Sequence, residues 1–189
     1  MIPYYDPTTP GRYERKFVIE NSSKLEVKAK IQLHPALFRE HYLPRMVNNI
    51  YFDSPEFTNF IDNVEGNARR RKVRIRWYGD LEGSVNSPVL EIKEKAGHIG
   101  WKQSFPLPSF HFPNQFSARE LVKLMKFADL PPKLFQDILT LRPSLVNRYS
   151  RNYYLSRDDC YRVTLDDQLQ YFRVDLLGGS FSSPFAESD

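Results

Sequence analysis

Apolar and polar side chains alternate with a two-residue period at residues 13–20, 72–78, 89–95, 101–105, 148–155, 160–166 and 169–174. That period marks strands with one buried and one solvated face, so strands are predicted to dominate. Helical spacing replaces it in three places. In residues 23–33, Leu25, Ala29 and Leu33 share a helical face. After Ser54-Pro55-Glu56, Ser54 is placed to cap a helix and Pro55 suits its first position. There Phe57, Phe60, Ile61 and Val64 form an apolar stripe that Gly66 ends. Ser117-Ala118-Arg119-Glu120 reads as a capping box, with Leu121, Leu124, Met125 and Ala128 inward and Pro131-Pro132 as the stop. A shorter helical piece is expected over 133–139, while 106–113 and 178–189 read as loop and tail. The fold class is therefore α+β with an antiparallel sheet.

Composition narrows this picture without redrawing it. At 189 residues, 41% of them hydrophobic, the chain is long enough for one well-formed core. No apolar run approaches the roughly 20 residues of a spanning helix, and residues 1–6 lack the basic-then-apolar order of a secretory signal. The expectation is a cytoplasmic domain without a membrane segment. A single cysteine, Cys160, excludes an internal disulfide and a cysteine metal cluster, and is expected to be a small half-buried side chain. His34, His41 and His111 lack ligand spacing, and His98 in Ala96-Gly97-His98-Ile99-Gly100 reads as an exposed turn residue.

Charge changes the picture more. The net charge of +4 is modest, but six of the eight residues from Arg69 to Arg76 are Arg or Lys. On an extended strand Val73, Ile75 and Trp77 point one way and Lys72, Arg74 and Arg76 the other. The same division sets Arg12, Glu14 and Lys16 against Tyr13, Arg15 and Phe17, and Glu91, Lys93 and Lys95 against Leu90, Ile92 and Glu94. Lys102 and Ser104 alternate with Trp101, Gln103 and Phe105; Arg151 and Arg162 sit in similar patterns. A solvated outer sheet face is the ordinary fate of such residues. Faces dominated by one sign instead suit the inside of a barrel that holds a polyanion, because like charges repel unless an opposite charge lies between them. The amphipathic helices would then cover the apolar outside, with Trp77 and Trp101 in the core. Glu14-x-Lys16 and Glu91-x-Lys93 place a carboxylate able to hold a divalent cation beside cations able to hold phosphate, as phosphoryl transfer requires. Each glutamate alone fits a salt bridge to those cations better, and only the pair would hold a metal well. Asp166 is expected to cap a turn with Asp167.

Seven stretches occur in a fixed order: residues 12–17 (Arg-Tyr-Glu-Arg-Lys-Phe), 49–55 (Asn-Ile-Tyr-Phe-Asp-Ser-Pro), 73–79 (Val-Arg-Ile-Arg-Trp-Tyr-Gly), 90–93 (Leu-Glu-Ile-Lys), 102–105 (Lys-Gln-Ser-Phe), 149–151 (Tyr-Ser-Arg) and 162–166 (Arg-Val-Thr-Leu-Asp). As an ordered set they resemble the polyphosphate polymerase domain of the vacuolar transporter chaperone (VTC) family, within the CYTH-like triphosphate tunnel metalloenzymes. The resemblance implies an antiparallel β-barrel with a cationic interior and helices outside. It divides the chain into an N-terminal extension (1–11), one tunnel domain (12–175) and a tail (176–189).

The implied reaction transfers the γ-phosphate of ATP to a polyphosphate chain with a divalent metal, Mn or Mg. Lys16, Arg74, Arg76 and Lys93 are the expected catalytic cations, Lys102, Arg151, Arg162 and Arg12 the substrate-binding ones, and Glu14 and Glu91 the metal ligands. The family also carries a final strand with a Glu-x-Lys signature whose Glu holds metal. Here Glu187 has no Lys two positions later, so the last strand is expected to be missing and polymerisation weak. A triphosphate hydrolase or cyclase of the same superfamily is the second enzyme reading, and a polyphosphate-binding sensor module the non-enzymatic one. Single-stranded RNA binding fits less well, because stacking platforms place aromatics and cations on one face whereas here they mostly alternate.

Overall fold

A computed structural model describes residues 14–97, 99–112, 118–174 and 181–188. In chain order the elements are α1 (Lys24–Gln32), β1 (Arg39–Asp53), α2 (Thr58–Val64), β2 (Arg69–Tyr78), β3 (Gly83–Val85), β4 (Val89–Ala96), β5 (Ile99–Pro106), β6 (Phe110–Phe112), α3 (Ala118–Phe127), α4 (Pro132–Leu139), β7 (Arg142–Leu155), β8 (Arg162–Val174) and β9 (Phe181–Ser188). Seven strands form one sheet in the order β5-β4-β2-β1-β7-β8-β9, and β3 pairs with β6 in a second, two-stranded sheet. Every pairing is antiparallel. β5 and β9 stand at the two edges, and among the described residues no pairing joins them.

One face of the sheet carries the core. Ile50 and Phe52 of β1, Val73, Ile75 and Trp77 of β2, Leu90 and Ile92 of β4 and Val146 of β7 are buried against Leu121, Leu124 and Met125 of α3 and Leu134 and Ile138 of α4. Val85 and Phe112 of the small sheet complete this layer. The alternation in β2 and β4 thus reports the true inside and outside of those strands, and Trp77 is buried, its indole N–H donating to the Asp80 carbonyl at 2.9 Å. Trp101 is half-buried on the same side.

Several expectations are corrected. Residues 14–20 are not a strand: alternation permits a strand but does not supply a partner, and no strand of the sheet pairs with them. In α1 the buried residue is Val27, with Leu25 and Leu33 exposed, and in α2 the stripe Phe57, Phe60, Ile61 and Val64 lies exposed. α2 is held by its start instead. The Asp53 carboxylate accepts from the Asn59 and Phe60 amides at 2.8 and 2.9 Å, and Ser54 Oγ from the Thr58 amide at 3.0 Å. Gly66, at φ +73°, ends that turn. β1, the central strand, shows no alternation because its second half is buried on both faces.

The stretches 160–166 and 169–174 form one strand, β8, with Gln168 at φ +54° where the register shifts. Asp166 lies within that strand, paired with Arg151, and caps no turn. Cys160 is exposed in the β7–β8 turn. Within the expected loop and tail stand β6 and β9, the latter paired along β8. Among the described residues no helix is long and apolar enough to cross a membrane.

Candidate functional site

Opposite the core, β5, β4, β2, β1 and β7 present a second face. Register places Arg74 beside Tyr51 of β1 and Glu91 of β4, and Arg76 beside Asn49. At its centre the Glu91 side chain is only 4% exposed. Arg74 donates to one of its oxygens through Nε and Nη2, at 2.9 and 2.6 Å. Arg76 donates to the other at 3.2 Å, and Lys102 pairs with that same oxygen. Arg74 also reaches the Tyr51 hydroxyl at 3.2 Å and lies near its ring. Arg76 donates to Asn49 Oδ1 at 3.3 Å, while Asn49 donates onward to Asn147 of β7 at 2.9 Å. Three cations therefore converge on one carboxylate.

Electrostatics follow from that arrangement. Burial alone would raise the Glu91 pKa, but Arg74 and Lys102 outweigh it and hold the carboxyl below its ordinary value. Lys93, two residues along β4, has its pKa lowered by burial and by Arg74, with Glu14 and Glu91 opposing and Lys16 reinforcing the shift. Lys72 is lowered by burial and then by Lys16. Although they form no strand, residues 14–20 thus bring Glu14 and Lys16 within electrostatic reach of the face. Cations crowded enough to depress each other's charged forms are stabilised by any anion placed among them.

The face continues onto β7 and β8. Arg151 donates to both oxygens of Asp166 at 2.6 Å and lies 5.1 Å from the centre of the Tyr149 ring. Tyr149 is buried, which raises its pKa against the pull of Arg151 and Arg74. Arg162 is set apart. It pairs with Leu155, four residues along β8 from Asp166, about 13 Å at the usual rise. There it borders a cleft of about 740 Å³ with Val27 and Ile31.

Of the expected site residues, Arg74, Arg76, Lys93, Lys102 and Glu91 come together, Lys16 and Glu14 approach them, and Arg151 lies farther along the face; Arg12 and His98 fall outside the described residues. Tyr51, Asn49, Asn147 and Tyr149 belong to the site but were not singled out by sequence. Their signal was register, which a single sequence does not print. Among the described residues no three metal-ligating side chains gather, and both Glu91 oxygens are held by cations. A divalent cation here would take most of its shell from phosphate oxygens.

The model of one protein family, the VTC domain, matches residues 11–185. No curated protein matches the chain. The chain belongs to the VTC domain family.

Proposed function

We propose, from VTC family membership and the geometry of this face, that the chain binds the triphosphate of ATP and inorganic polyphosphate and transfers the γ-phosphate to the end of the polyphosphate chain. One observation carries the reading: Arg74, Arg76 and Lys102 share a single carboxylate, so a half-buried patch keeps surplus positive charge. A linear polyanion supplies the missing negative charge in several places at once. Guanidinium groups suit it through two-pronged contacts to phosphate oxygens, and Lys93 and Lys102 act as point charges.

In the proposed step a terminal oxygen of the chain forms a bond to the γ-phosphorus as the bond to the β,γ-bridging oxygen breaks. ADP leaves with that electron pair and the chain is one phosphate longer. Nothing in it requires a protein nucleophile; alignment of the two phosphates and neutralisation of charge on the transferred group suffice. Glu91 and Glu14 are the proposed protein neighbours of a divalent cation carried in with the phosphates. In this reading the cationic face is a wall of the tunnel, with residues 14–20 lying across it.

Incubating the full chain with ATP and Mg or Mn and resolving the products tests the proposal. Lengthening polyphosphate with equivalent ADP is the expected result. Free phosphate or pyrophosphate alone would replace the transferase reading by a hydrolase. Tight binding of polyphosphate without any turnover would replace it by a binding module.

A further inference from the structure

We propose that Arg45, held among the rings of Tyr42, Tyr78 and Tyr153, is an additional phosphate position on the same face, reached by polyphosphate chains longer than a triphosphate. The inference rests on the phosphate-chain reading above and extends it along the sheet. Arg45 is the register partner of Arg151, and two residues on, Val47 pairs with both Tyr149 and Tyr78. Its side chain therefore emerges on the cationic face. The guanidinium carbon lies 4.7 Å from the centre of the Tyr42 ring, 5.3 Å from Tyr78 and 5.7 Å from Tyr153. Tyr42 and Tyr153 meet edge to face at 5.6 Å.

This arginine differs from the others on the face. Arg74 and Arg76 share Glu91, and Arg151 is clamped to Asp166. Among the described residues Arg45 has no carboxylate in ion-pair range. Ring contacts engage the flat faces of a guanidinium and leave the N–H donors on its edge, the donors that two-pronged phosphate binding uses. The rings fix the side chain in place, lowering the entropy lost when a ligand is bound. Tyr42 and Tyr78 are themselves nearly half exposed, so the cluster is open to a ligand. Burial, with Tyr78 beside it, holds the Tyr153 pKa up at about 12, and its hydroxyl stays protonated.

Length is what separates this position from the Glu91 cluster. Arg45 stands four residues along β1 from Asn49, the partner of Arg76, about 13 Å at the usual rise per residue. A triphosphate seated between Arg74 and Arg76 does not cover that span. A longer chain running past Tyr149 and Arg151 does.

The test is equilibrium binding of tripolyphosphate and of long-chain polyphosphate to the wild-type chain and to Arg45→Ala and Arg45→Gln. Both variants are expected to bind the long chain about tenfold more weakly and tripolyphosphate unchanged; the unchanged short ligand shows that the face is still folded. Equal weakening of both ligands, or no weakening of the long chain, overturns the assignment. Failure of the wild-type chain to bind tripolyphosphate at all overturns the underlying reading instead.

Discussion

Three residues apart on β2, Arg71 and Arg74 both face a glutamate of β4, yet their surroundings are opposite in balance. On the core side, Arg71 donates to Glu94 at 2.8 Å and pairs with Asp137 of α4 at 3.5 Å. One cation meets two carboxylates, and the cluster ties the sheet to the helix that covers it. On the other side, three cations meet one carboxylate. A buried ion pair closed by its own partners is a structural device, whereas surplus charge of one sign in a half-buried place is an incomplete one that a ligand completes. On the proposed function, neighbouring arginines of one run thus divide into structure and recognition by strand face.

Substitutions sharpen that contrast, beginning with the largest expected effect. Arg74→Gln with Arg76→Gln should weaken tripolyphosphate binding by about 100-fold or more, read by titration calorimetry. It also leaves Glu91 with Lys102 alone, so unfolding free energy should fall by about 3 kcal/mol. Adding Glu91→Gln removes the orphaned charge and should restore much of that stability without restoring binding. Arg71→Ala should do the reverse, lowering stability by about 2 kcal/mol in denaturant unfolding while phosphate affinity stays within about twofold. Loss of binding in Arg71→Ala would erase the distinction between the faces.

Glu91→Gln alone probes the surplus itself. Three cations then face one another without a carboxylate, and stability should fall by about 1–2 kcal/mol. Tripolyphosphate should raise the melting temperature of this variant more than that of the wild type, because the ligand replaces the missing charge.

The smallest effects are in pH. The Glu91 pKa is depressed in the folded state, so its contribution is present above the unfolded carboxyl value near 4.5 and is lost as pH falls through the folded value. Acid unfolding should therefore begin at higher pH in Glu91→Gln, which lacks that contribution throughout, and the difference between the two proteins should shrink as pH falls. The Lys93 and Lys72 pKa values are lowered from 10.5. Their charged forms are disfavoured by folding, a cost relieved as pH rises through the folded values, and phosphate affinity should decline at lower pH than an ordinary lysine would give. Lys93→Arg should flatten that decline, measured by binding as pH rises toward about 10.

The cationic face was legible because β2, β4 and β5 keep strict alternation, and alternation with a buried apolar side fixes which charges travel together. What it does not contain is register. That Arg74 and Arg76 would meet over Glu91 depends on the β2–β4 register; that Tyr51 and Asn49 would flank them depends on pairing β1 between β2 and β7, and β1 carries Pro44 and an Asn48-Asn49 pair that hide it as a strand. The stripe on α2 misled for a related reason. Helical spacing identifies a face able to pack but not a surface to receive it, and α2 stands beside β1 and β2 with its apolar residues outward. The aromatic setting of Arg45 was invisible, since Tyr42, Tyr78 and Tyr153 belong to three strands brought together only by the sheet.

Surplus charge around Glu91, and not basicity in general, is proposed to bind phosphate. The most direct test of this is tripolyphosphate affinity at fixed ionic strength for the wild type, Arg74→Gln with Arg76→Gln, and a charge-matched control, Lys126→Gln with Lys133→Gln, which removes two exposed cations from the helices on the opposite side of the sheet. A loss of about 100-fold is expected in the first variant and only a few-fold loss in the control. Equal losses in the two variants would contradict it, and would make the binding a property of net charge alone.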